Sequence, residues 1–125
     1  MAIAIERSED FITLTLTDKI TTDDLYRGVD ALYESDPPTK VLWDLTDAEV
    51  LDVPDGTNQL RGFSSYAAEK GKSRKGSKVA VISREDVQFG MARMTAAFAE
   101  LNEAAYDMKI FRDQPTALAW LEMSD

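Results

Sequence analysis

The sequence predicts an α/β protein, a single domain over residues 1–125 in the order β-β-α-β-α-β-α-β-α, with a mixed sheet of about five strands covered by helices. Three observations carry that expectation. The chain opens on "AIAIER" and "FITLTLT", which alternate apolar and polar residues around the polar break "SED", as a β-hairpin does. Short apolar runs then alternate with longer segments of helical periodicity. No repeat, low-complexity tract or linker divides the 125 residues. A chain of that length buries about two-thirds of its unfolded surface, enough for a core without metals or disulfides.

In the second strand Ile12, Leu14 and Leu16 share one face, with Phe11, Thr13, Thr15 and Thr17 on the other. "ITTDDLYRGVDALYES" sets Leu25, Val29 and Leu32 at helical spacing, with a capping box from Thr21 to Asp24 and a stop at Pro37 and Pro38. "KVLWDL" suits a central strand. After an acidic connection, Leu60, Phe63 and Ala67 mark a second helix beginning near Asp55. "KVAVIS" is a further buried strand, and Ser83 with Asp86 reads as another capping box. The third helix carries Val87, Met91, Met94, Phe98 and Leu101 on one stripe. "AYDMKIF" is a weaker strand. Asp113 and Pro115 open a last helix that holds Leu118 and Leu121.

The composition excludes several chemistries. With no cysteine there is no disulfide framework, thiol catalysis or thiolate metal site, and with no histidine the commonest general base is missing. No cofactor or metal is expected, nor is an enzyme. The start "MAIAIERSED" has acids where a secretory signal needs a basic end, and no run reaches the roughly 20 apolar residues of a membrane span. The expectation is a soluble, cytoplasmic protein without membrane insertion. A net charge of −9 repels nucleic acid. The basic run "EKGKSRKGSK", residues 69–78, has no aromatic for base stacking and reads as a solvated, mobile loop. Its "GKS" lacks the earlier glycine of a phosphate-binding loop, since Tyr66 stands there.

Several segments together resemble the SpoIIAA-like proteins, a branch of the STAS superfamily that is also similar to CRAL-TRIO lipid-transfer domains. They are "LTDKITTDDLY", "VLWDLTDAEV", "VAVISREDVQFGMARM" and "KIFRDQPTALAWL", in consistent order over most of the chain. The resemblance implies a STAS-like fold and a regulatory or protein-interaction role. In anti-sigma-factor antagonists of that superfamily, the turn after the central strand carries a serine that a kinase phosphorylates. Here the matching turn is "LDVPDG": Asp52 fits the pattern's acid, but Val53 and Pro54 replace the hydroxyl residues, and Thr57 is the nearest hydroxyl. The phosphorylation switch is therefore not expected, while docking of a protein partner through Asp52, Val53, Pro54, Asp55, Gly56 and Thr57 is.

Three further signals stand beside that surface. Asp44, Asp47, Glu49, Asp52 and Asp55 crowd the end of the central strand. Magnesium or phosphoaspartate chemistry would use such carboxylates, but the plainer reading is solvated acids at a strand end. In the third helix, Phe89, Gly90, Met91 and Met94 are the candidates for an adaptable surface that takes an apolar or lipid-like small molecule between helices. Gly90 costs about 1 kcal/mol against alanine there, which points to close packing. The plainer reading makes Met91 and Met94 core. Tyr26 and Tyr33, seven apart and off the apolar stripe, suit either a homodimer contact or the sheet edge. Trp43 and Trp120 read as packing residues.

Overall fold

The computed structural model describes residues 2–8, 11–34, 40–50, 56–72 and 77–123. Strands β1 (Ala2–Arg7) and β2 (Ile12–Ile20) form the leading antiparallel hairpin. Helix α1 (Thr22–Glu34) follows, then β3 (Lys40–Asp44), β4 (Ala48–Val50) and α2 (Gly56–Lys70). The chain continues through β5 (Lys78–Ile82), α3 (Asp86–Leu101), β6 (Asp107–Phe111) and α4 (Gln114–Glu122). The sheet is mixed and six-stranded: β1-β2-β3-β5-β6 in spatial order, parallel after the hairpin, with β4 paired to β2 off that path.

β4 is the element absent from the sequence reading, which ran the acidic connection straight from β3 to α2. It arises because β2 serves two partners in succession. Residues 12–15 pair with β3, Asp18 takes a left-handed backbone (φ 65), and residues 18–20 then pair with β4. Asp44 makes the break on the other side, its Oδ1 accepting from the Thr46 N–H at 2.9 Å and the Thr46 hydroxyl at 2.5 Å.

The two sheet faces are covered unequally. Helices α1, α2 and α3 lie over the face that carries Leu14, Leu16, Val41, Trp43, Val79 and Val81. Helix α4 alone covers the other, where Leu42, Ala80 and Ile82 meet Ala117 and Leu121. The alternation read in β2 holds: Ile12, Leu14 and Leu16 are fully buried and the intervening threonines are half-buried.

Local chemistry explains the helix ends. Thr21 and Asp24 form the expected capping box, with the Thr21 N–H donating to Asp24 Oδ2 at 2.8 Å and the Asp24 N–H to Thr21 Oγ1 at 3.3 Å. Asp113 caps α4 by accepting from the Thr116 N–H and hydroxyl, with Pro115 in the first turn. Buried Lys78 closes the other end of α4, donating to the Met123 and Trp120 carbonyls at 2.7 and 3.3 Å. At α3 the expected box between Ser83 and Asp86 does not form. Glu85 caps instead, its carboxylate accepting from the Gln88 N–H at 3.0 Å, while Ser83 Oγ is buried with no hydrogen-bond partner.

Gly28 is required by packing. A Cβ on Gly28 would sit 2.8 Å from two ring atoms of Trp43, so only glycine lets α1 lie this close to the central strand.

Candidate functional site

Between the sheet and the three-helix layer lies a cavity of about 100 Å³. Trp43, Val79 and Val81 form its floor; Val29 of α1, Leu60 and Phe63 of α2, and Met91 and Ala92 of α3 form its walls. No described residue that lines it carries a formal charge. Its polar groups are few and mostly occupied. The Ser64 hydroxyl donates to the Thr95 carbonyl at 3.2 Å, and the Thr95 hydroxyl to the Met91 carbonyl at 3.1 Å. Gln88 is different, because its amide serves the open edge of β4. Its Oε1 accepts from the Val50 N–H at 2.7 Å and its Nε2 donates to the Ala48 carbonyl at 3.2 Å. Those two bonds use one lone pair and one N–H of an amide that has two of each.

The structure separates the residues proposed for an apolar ligand. Met91 lines the cavity; Phe89, Gly90 and Met94 do not. Phe89 lies under the Arg112 guanidinium, 4.2 Å from its ring centroid, and Arg112 in turn holds Asp86 at 2.6 Å and the Arg84 carbonyl at 3.2 Å. Met94 points outward, 39% exposed. The close packing expected at Gly90 is absent, for a Cβ there would meet nothing within 4 Å. The α3 stripe is corrected with it. Among its described side chains Gln88, Thr95 and Ala99 are buried, Met91, Ala92 and Phe98 are half-buried, and Leu101 is 77% exposed, while the Val87 side chain lies outside the description. Sequence reasoning missed Gln88, Ala92 and Thr95, which share the 3–4 residue spacing of the inner face but are small or polar.

Of the proposed docking turn, Asp52, Val53, Pro54 and Asp55 lie outside the described residues, as do Pro37, Pro38 and residues 73–76 of the basic run. Gly56 and Thr57 form the first turn of α2. Among the described residues no cluster of three acids is placed to hold a metal ion, and no helix is long and apolar enough to cross a membrane.

Tyr26 and Tyr33, expected at a dimer contact or sheet edge, are half-buried and make contacts within the chain. Tyr26 meets Phe63 edge-on at 5.3 Å and Tyr66 at 4.9 Å, and Tyr33 lines the cavity. The Tyr66 hydroxyl donates to Asp30, and that bond raises its pKa above the usual phenol value. Trp43 is buried in the core, and the half-buried Trp120 ring lies 5.7 Å from that of Phe111 at a tilt of 42°, as packing residues should.

Comparison with known proteins agrees with this architecture. A family model described as SpoIIAA-like matches residues 11–122. The crystal structure of an uncharacterized protein of the DUF3478 family, with a SpoIIAA-like fold, from Shewanella loihica PV-4 superposes with a TM-score of 0.60. The two sequences are 27% identical, over 96% of this chain and 92% of that one. No curated protein matches the sequence.

Proposed function

The chain belongs to the SpoIIAA-like family, and from that premise we propose that it is a non-enzymatic binding module whose cavity takes a small, neutral, apolar molecule. One observation carries the reading: an apolar cavity behind α3 whose described wall residues carry no charge. A charged ligand would lose its hydration there with no counter-charge in return. Size supports a compact ligand, since an engineered cavity of about 150 Å³ accepts benzene. The spare lone pair and N–H of Gln88 would favour a ligand with one neutral hydrogen-bonding group. Chemistry in the cavity has little support, because the Ser64 and Thr95 hydroxyls donate to backbone carbonyls and no carboxylate or lysine is among the described lining residues. This takes up the alternative reading of the sequence, a carrier of an apolar molecule between helices, rather than the protein-interaction module that would dock through Asp52–Thr57.

Native mass spectrometry of gently purified protein tests this, followed by NMR titration with benzyl alcohol and with hexanoate. The expected result is a neutral adduct lost on denaturation, or shifts of the Met91 methyl with benzyl alcohol and not with hexanoate. Ala92→Phe, which fills the wall, should abolish the response. No adduct and no response to benzyl alcohol would sink the reading.

A further inference from the structure

Helix α3 has one face with no partner among the described residues. Gly90, Met94, Ala97 and Leu101 recur at steps of four, three and four residues, and all are exposed. That spacing is the a/d seam of a helix pair, narrower than the stripe a helix turns toward a sheet. The order small-large-small-large is its own complement when the helix direction is reversed.

We infer that a second copy of the chain docks on this face, forming an antiparallel α3–α3 pair about a twofold axis that passes between Thr95 and Ala96. In that register Leu101 lies over Gly90 of the second copy and Met94 over its Ala97. The open space beside Gly90 is what receives the leucine. The flanks agree. Arg93 and Glu100 are exposed on the same shoulder of the seam, and reversal sets Arg93 of each copy beside Glu100 of the other. A parallel pair would stack leucine on leucine, leave glycine facing glycine, and lose the charge match. Size and charge therefore select the same arrangement. One helix face is a small interface, so pairing belongs in the micromolar range.

Sedimentation velocity on the full chain, from micromolar to near-millimolar concentration, reads this directly. The wild type should approach twice the monomer mass, and Leu101→Glu should stay monomeric with an unchanged circular dichroism spectrum. Arg93→Glu and Glu100→Arg should each weaken pairing about tenfold by creating like-charge contacts, and the double variant should recover it. A wild type that is monomeric throughout, or a double variant no tighter than the singles, overturns the inference. So does a monomer that cosediments with phosphatidylcholine vesicles through Leu101, which would make the face a membrane contact.

Discussion

The inner and outer faces of α3 reverse the usual assignment of residues. Inside, against the sheet and the cavity, Gln88, Thr95, Ala92 and Ala99 accompany a single larger apolar residue among those described, Met91; outside are Met94 and Leu101. The inner face is small because α3 lies over large residues already supplied by β3, β5 and α2, among them Trp43 and Phe63. It is polar where β4 presents backbone groups that β2 does not satisfy. Burial follows what the neighbouring surface requires, and a helix meeting a strand edge can need an amide more than a leucine.

The sharpest way to break this contrast is to put the same charge on each face. Ala99→Glu should cost at least about 3 kcal/mol in urea denaturation, because the carboxylate enters the core unpaired. Ala97→Glu, on the outer face, should change monomer stability by no more than about 0.5 kcal/mol. Equal losses would mean that the faces are misassigned.

A second pair of variants uses the glycines. Gly28→Ala should destabilise by about 1–2 kcal/mol, since the Trp43 ring must move. Gly90→Ala should stabilise the monomer by up to about 1 kcal/mol, because the new methyl meets nothing and the helix gains alanine's propensity. Thermal melts at low protein concentration give both signs.

The smallest effect tests the other side of the sheet. The Asp113 carboxyl is held below the usual carboxylate range by the Thr116 hydroxyl and then by the Thr116 N–H. A depressed pKa contributes stability above the unfolded-state value, and that contribution disappears as pH falls through the folded-state value. Acid titration followed by NMR should therefore loosen the start of α4 in the wild type. In Asp113→Asn, which keeps an acceptor but cannot titrate, this step should vanish.

Much of the fold was legible because its signals are local. The hairpin alternation, the box at Thr21 and Asp24 and the cap at Asp113 all depend on residues within a few positions of one another. What escaped reading depends on distant partners. β4 is three residues long with an exposed Glu49 at its centre, and it exists because β2 bends at Asp18 and Gln88 reaches it from α3. The α3 stripe was misread because periodicity finds the apolar residues without saying which side faces the protein. Ser83 has the residue type and spacing of a cap, but Glu85 lies nearer the exposed helix start. The cavity had one legible wall residue among its four candidates, Met91, since a void is a property of the space between elements.

Gln88 also sets the angular position of α3. Both of its hydrogen bonds are directional and end on backbone atoms of one short strand, so the helix cannot turn about its own axis without breaking them. Rotation by a single residue, about 100°, would carry the amide away from β4 and swing Met94 and Leu101 off their present bearing. The amide thus works as a key in a slot: by holding the edge of a strand on one side, it fixes the direction in which the helix presents its other side.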